Sequence, residues 1–184
     1  MCVNCRGFTL LELLVTITLL ATLAAISLPR LMSAHPDATL ERQADDLQSL
    51  LIHARRLAMQ RRQRVFVCGA VVTDVGEDGA SAPCMDQPLW PHGISVLADS
   101  NGDGAPTAGD RSLMYKASMA APAKLRWRGF RGKNQITFLS SGTTHWQNGR
   151  LSLCLPGAVV RQRDIVLNTA GRSYLLRPIV SACE

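Results

Sequence analysis

The sequence has no basic residue over one long stretch and few acidic residues over the next. Residues 65–110 contain no lysine or arginine but seven acidic residues, and residues 111–184 contain only two acidic residues against twelve basic ones. Residues 1–64 carry eight basic and five acidic residues, so the net charge of +6 hides an acidic middle and a basic C-terminal part. The charged residues of these blocks either keep a sheet surface solvated or, in the basic part, attract a polyanionic partner.

The sequence also lacks the residue patterns of a catalytic site. None of its four histidines adjoins a serine or cysteine motif, and no glycine-rich phosphate loop follows a strand-like run. The polar segment 140–149 contains no acid–base pair that would activate a serine or threonine. The sequence therefore predicts a protein that is not an enzyme and has no organic cofactor.

Two of the six cysteines, Cys2 and Cys5, precede an apolar run, and four follow it. No second C-x₂-C pair is present, so disulfides in an oxidising compartment are favoured over a zinc site. Four cysteines allow three pairings. We favour the sequential pairing because each bridge would close a modest loop that is rich in turn residues. The predicted pairs are Cys68–Cys84 and Cys154–Cys183.

The apolar run extends from Phe8 to Leu28 and contains a single charge, Glu12. As a helix it would span roughly 30 Å, the thickness of a bilayer core. No small-x-small cleavage site follows it, which argues against a secretory signal peptide. Pro29 is expected to end or kink the helix. An acid inside a membrane segment is costly and predicts a cationic partner for Glu12.

The string RGFTLLE, residues 6–12, resembles the processing motif of type IV prepilins and type II secretion pseudopilins. The resemblance implies that a prepilin peptidase cleaves between Gly7 and Phe8 and methylates the new N-terminus. It also implies that Glu12 pairs with the N-terminal amine of a neighbouring subunit in a filament.

Apolar residues recur at helical spacing between residues 38 and 60, with Asp37 as the expected N-cap. Eight short strand-like runs follow, separated by turn residues. They are 64–72, 94–98, 112–116, 125–130, 135–139, 149–155, 164–167 and 172–177. The pattern predicts an α+β fold in which a long N-terminal helix, half transmembrane and half amphipathic, packs on antiparallel β-sheet.

Three stretches in this order resemble the FimT/GspH branch of the minor pilins and pseudopilins: residues 47–68, 90–104 and 165–172. The resemblance implies a pilin-like fold with a leader (1–7), a transmembrane and polymerisation helix (8–29), an amphipathic helix (30–64) and a β-rich head (65–184). It implies a single-pass inner-membrane protein with a periplasmic head that later enters a filament. The implied partners are major and minor pilins or pseudopilins, the prepilin peptidase and the membrane. The implied function is type IV pilus assembly, with a type II secretion pseudopilin as the alternative.

One loop has the oxygen spacing of a calcium site. Asp99, Asn101, Asp103 and Asp110 stand at positions 1, 3, 5 and 12, with glycine at position 6. Position 12 carries aspartate instead of the usual glutamate, and neither flank is helical in pattern. A solvated hairpin loop is therefore the favoured interpretation, and calcium binding is the alternative.

Some FimT-like minor pilins bind DNA through a C-terminal Gly-Arg-x-Arg stretch. The corresponding string is Gly171-Arg172-Ser173-Tyr174, which lacks the second arginine. Other basic residues lie nearby or in a second basic stretch with interleaved aromatics, so the sequence predicts weak, non-specific DNA binding. The candidate residues are Arg131, Lys133, Arg161, Arg163, Arg172 and Arg177, with Lys124, Arg126 and Arg128 in the second stretch.

Overall fold

The computed structural model describes residues 9–71, 84–117, 123–130, 133–156 and 161–180, with the side chains of residues 24–37 and 117 left out. The chain divides into two compact units, residues 1–39 and residues 40–184. We call the second of these the head from here on; its range, 40–184, takes in residues 40–64 of the predicted amphipathic helix as well as the predicted β-rich head, residues 65–184.

A single helix, α1 (Leu10–Arg61), runs through residues of both units. It begins after Thr9, whose carbonyl accepts from the Leu13 amide (3.2 Å) and whose hydroxyl accepts from the Glu12 amide (3.3 Å). Thr9 is thus the N-cap, because its oxygens satisfy amides of the first turn. The helix ends where Arg62 adopts a left-handed conformation (φ 53°), the geometry common just after a helix C-terminus.

One predicted helix start is wrong: residue 37 lies within α1, so Asp37 is not an N-cap. Of the two outcomes predicted at residue 29, an end of the helix is excluded because α1 continues through that residue, and a kink stays a prediction. Both predictions used local signals. A proline removes one backbone hydrogen bond and crowds the preceding turn, but the turns on either side can carry the helix past it.

The head half of α1 buries the predicted apolar stripe. All six predicted positions are buried, and they share one hydrophobic core with residues of the strands. They are Leu40, Ala44, Leu47, Leu51, Ala54 and Ala58. The core is completed by large side chains from the strands and loops, among them Trp90, Trp127 and Phe138. Burial of this stripe is the main force that holds the helix in the head.

In the part of the chain that the structure describes, nine strands follow the helix and form two antiparallel sheets. They are β1 (Val65–Gly69), β2 (Gly93–Ala98), β3 (Arg111–Ala117), β4 (Lys124–Gly129), β5 (Gln135–Phe138), β6 (Gly149–Leu155), β7 (Arg161–Leu167), β8 (Ser173–Leu175) and β9 (Ile179–Val180). The first sheet has the order β3-β2-β1-β5. The second has the order β4-β6-β7-β8, with β9 also pairing with β7.

The α+β fold class and its antiparallel sheets are confirmed, and each predicted strand run overlaps one of the first eight strands. Strand β9 was not predicted, because two residues are too few to show an alternating pattern.

Candidate functional site

The first unit presents an apolar helix surface that nothing in the described chain covers. Every large apolar side chain between residues 10 and 23 is exposed. They are Leu10, Leu11, Leu13, Leu14, Val15, Ile17, Leu19, Leu20 and Leu23. Glu12 is also exposed and stands among them. The processing residues Gly7 and Phe8 lie outside the described residues.

Among the residues that the structure describes, no helix combines the length and the apolar character needed to cross a membrane. The predicted span, residues 8–29, lies partly outside that part.

One predicted disulfide is confirmed. Cys68, in β1, is bonded to Cys84 with a Cα–Cα distance of 5.4 Å. Backbone pairing beside it, Ala70 with Cys84 and the Met85 amide with the Gly69 carbonyl (2.8 Å), holds the two segments together. Cys154 is also disulfide-bonded, and its predicted partner Cys183 lies outside the described residues.

The β2–β3 loop turns its acidic side chains towards its own backbone. Asp110 accepts from the amides of Ser100 (3.0 Å) and Thr107 (2.9 Å), and Asp99 accepts from Gly104 (3.2 Å) and from Arg64 Nη1 (3.3 Å). The described residues contain no group of three or more His, Cys, Asp or Glu side chains that could hold a metal ion.

Asp103, the remaining acidic residue of the calcium pattern, is exposed in the same loop. Its carboxylate accepts from the Ala105 amide (2.8 Å) and from the Asn101 side chain (2.7 Å). The Ala105 hydrogen bond is the main reason that the pKa of Asp103 lies below its ordinary value. The loop is therefore held by its own side chains, and calcium binding stays the alternative to a solvated hairpin loop.

The predicted DNA-binding arginines that the structure describes differ in their partners and exposure. Arg163, on β7, directs its guanidinium to the Glu41 carboxylate of α1 and donates to the Leu176 carbonyl. Its side chain is only 11% exposed, so a phosphate would have to compete with these partners. Arg161, at the start of β7, has a partner of its own. Arg131 lies outside the described residues.

Arg172 belongs to the tight β7–β8 turn. Its amide donates to the Asn168 side chain (2.9 Å), and Asn168 and Arg172 also pair through their backbones. The turn rests on the β5–β6 loop, because the Thr144 amide donates to the Thr169 carbonyl (3.0 Å). The side chains of Arg172 and Arg177 are exposed.

A second group of basic residues occupies the outer face of the second sheet. In β4, Leu125 and Trp127 are buried on the core side, so the alternating basic residues lie on the opposite side. They are Lys124, Arg126 and Arg128. Arg150, paired with Arg128 across the strands, adds a cation that the sequence analysis missed. It bonds the buried carboxylate of Asp164 at 3.1 Å.

The β5–β6 loop contains a second feature that the sequence analysis missed. The sequence predicts only a polar loop for residues 140–149, but 74% of the Trp146 side chain is exposed there. Trp146 lines an open cleft of about 470 Å³ together with Phe130, Lys133 and His145. A tryptophan inside a polar loop was the one available signal, since such a residue usually packs in the core.

The fold and the exposed apolar helix define a pilin-type subunit, and comparisons with known proteins specify the family. The sequence model of Type II transport protein GspH matches residues 43–171, and the prokaryotic N-terminal methylation motif matches residues 2–28. The chain therefore belongs to the GspH family, and it is a minor pilin or pseudopilin.

Among solved structures, the chain is similar to the type IV minor pilin FimU of Pseudomonas aeruginosa strain PAO1. The P21 crystal form shares 20% identity, covers 77% of this chain and 91% of that chain, and has a TM-score of 0.51. The P65 form shares 18% identity over 74% and 92% of the two chains, with a TM-score of 0.49. At this identity the likeness establishes the fold alone. No curated protein matches the chain.

Proposed function

We propose that the chain is a minor subunit of a type IV pilus. In this proposal a prepilin peptidase cleaves between Gly7 and Phe8, and the subunit resides in the inner membrane with its head in the periplasm. It then enters a filament with other pilins. The methylation motif and family membership support processing and assembly, and the FimU-like fold favours a pilus.

The exposed apolar helix surface between Leu10 and Leu23 carries the proposal. A helix that is apolar all round needs either lipid or neighbouring helices as its surroundings. The Glu12 carboxylate is out of place in both, since a charged side chain costs on the order of 2.5–3.5 kcal/mol at a bilayer centre and less near a helix end, where Glu12 lies. The amine that processing creates on a neighbouring subunit would neutralise it, so assembly relieves the cost of the charge.

Substitution of Glu12 tests this role. Glu12→Gln keeps the shape but removes the charge, and we expect normal membrane insertion with a loss of filament incorporation. The matched control is Thr16→Ala, one turn further along, where the hydroxyl only donates to the Leu13 carbonyl of its own helix. Immunoblots of membranes and sheared filaments measure both steps. Normal incorporation of Glu12→Gln would show that the charge does not act in assembly.

A type II secretion pseudopilin is the alternative, and the matching family carries that name. Deletion of the gene distinguishes the two. A pilus subunit is required for surface filaments and twitching motility, whereas a pseudopilin is required for release of a type II substrate. Loss of secretion with intact pili would refute the proposal.

DNA binding is a second candidate function, favoured by the exposed Arg172 and Arg177 in a part of the chain with twelve basic and two acidic residues. Counterion release makes such binding fall steeply with salt. The double variant Arg172→Ala/Arg177→Ala should lower the salt slope by about two, since each phosphate contact contributes about one. Arg111→Ala, an exposed arginine of the first sheet, is the control. A gel shift that is unchanged in the double variant would refute this role.

A further inference from the structure

Both the backbone conformation and the solvent exposure of Trp146 are energetically unfavourable. Its backbone has φ 55°, in the left-handed region that disfavours residues with a side chain, and its indole is 74% exposed. The only other non-glycine residue with positive φ in the described chain is Arg62, which ends a helix. A bulky residue held in such a conformation points to a functional demand at that position.

The surrounding turn holds Trp146 in place. On either side of it, Thr144 and Gln147 are buried. The Gln147 side chain accepts from the Thr137 amide (2.6 Å), and the Thr144 hydroxyl donates to the Gln147 carbonyl. The Trp146 amide donates to the Thr144 carbonyl at 2.7 Å. These bonds anchor the loop to β5, so the indole is presented to solvent from a rigid support.

The cleft beside the indole has the size and the groups of a small-ligand site. Its volume of about 470 Å³ lies within the range of about 300–1,000 Å³ for such sites. Phe130 adds a second exposed aromatic ring. Lys133 and His145 bring nitrogen donors, Asp103 brings carboxylate acceptors, and Gln135 brings both.

We propose that this cleft binds a pyranose segment of a glycan. A sugar ring presents a face of C–H bonds, which the negative face of an indole attracts, and an edge of hydroxyl groups. Each hydroxyl both donates and accepts, so the ring needs neighbours of both kinds. Trp146 is the stacking platform, and the mixed polar wall binds the hydroxyl edge.

The residues that line the cleft argue against two other ligands, a nucleic acid and a protein. Lys133 and Asp103 carry opposite charges, and Arg64 is already bonded to Asp99, so the lining offers little net positive charge to a phosphate backbone. A protein hot spot would place a packed apolar centre beneath the tryptophan, with polar groups at the rim. Here Thr137, Gln135 and Gln147 form part of the wall.

Collisional quenching of tryptophan fluorescence tests the proposal on the full chain in a zwitterionic detergent without a sugar headgroup. Trp90 and Trp127 are each 1% exposed, so acrylamide reports on Trp146. Chitotriose represents N-acetylhexosamine glycans, and cellotriose represents neutral glucans. We expect at least one of them to lower the quenching slope about twofold or more, because the sugar covers the indole. No protection by either sugar overturns the proposal.

Variants test the platform through retention on insoluble chitin or cellulose. Trp146→Gly should abolish retention while the unfolding temperature stays equal or rises, because glycine accepts the positive φ. Trp146→Phe should retain part of the binding, and Tyr174→Ala, another exposed aromatic, should retain all of it. Undiminished retention of Trp146→Gly overturns the proposal. Protection of Trp146 by oligothymidylate or by a second copy of the chain, but not by sugar, overturns it as well.

Discussion

Replacement by alanine should have very different effects on stability at two glycines that have nearly the same backbone φ. Gly171 (φ 74°) and Gly102 (φ 75°) both have left-handed backbones, which cost an alanine about 1–2 kcal/mol. A Cβ on Gly102 would meet nothing within 4 Å, whereas one on Gly171 would lie 2.1 Å from the Gly142 carbonyl oxygen. That distance is between backbone atoms, so the two loops would have to separate.

Separation of these loops would break the bonds that join them. The Thr144 amide would lose the Thr169 carbonyl (3.0 Å), and Arg55 Nε would be drawn from Gly142 (2.7 Å), at about 1 kcal/mol each. Gly171→Ala should therefore lower the free energy of unfolding by about 3–4 kcal/mol, and Gly102→Ala by about 1–2 kcal/mol. Urea unfolding, followed by the fluorescence of buried Trp90 and Trp127, measures both. Equal losses in the two variants would refute the steric argument.

Three further results are expected. Joint replacement of Cys68 and Cys84 by serine should lower the free energy of unfolding by roughly 3 kcal/mol, since the bridge closes a loop with a sequence separation of 16; an unchanged urea midpoint would contradict this. The pKa of Asp103 lies below its ordinary value of 3.8, so the stability that its carboxylate contributes is complete above pH 3.8 and is lost as the pH falls through the lowered pKa. Asp103→Asn should remove this contribution from the dependence of the unfolding free energy on acid pH. Identical pH dependences of the variant and the original chain would argue against it. Because the loop carboxylates already bond their own backbone, millimolar Ca²⁺ should leave the unfolding temperature unchanged, and a clear rise would establish the calcium site.

The sequence predicted most of the head because its elements have strong local patterns. The stripe from Leu40 to Ala58 follows helical spacing, and β4 alternates basic residues with Leu125 and Trp127. The division into two sheets could not be predicted, because it depends on which strands pair across distant parts of the chain. Whether the helix ends at residue 29 or continues through it could not be predicted, because a proline that ends a helix and one that only kinks it give the same local signal.

The candidate sites were less predictable than the fold, because function depends on contacts between distant residues. Arg163 looked like a surface cation in sequence, but Glu41, far away in the chain, binds it. Trp146 stands in a polar loop, and its left-handed backbone depends on the buried bonds of Thr144 and Gln147. For these candidate-site residues, the side-chain type could be read from the sequence, but exposure and pairing could not.

The order of strands in the first sheet has a consequence for how the head folds. Strand β1 lies between β2 and β5. Val65 of β1 pairs with Phe138 of β5, and β5 follows β4, a strand of the other sheet, in the chain. Hairpins between neighbouring strands, such as β6 with β7, close short loops and form quickly. The β1–β5 pairing must close a longer loop than the β1–β2 pairing, so we expect it to form later. Until it forms, β1 keeps one open edge, at which a newly made head can mispair.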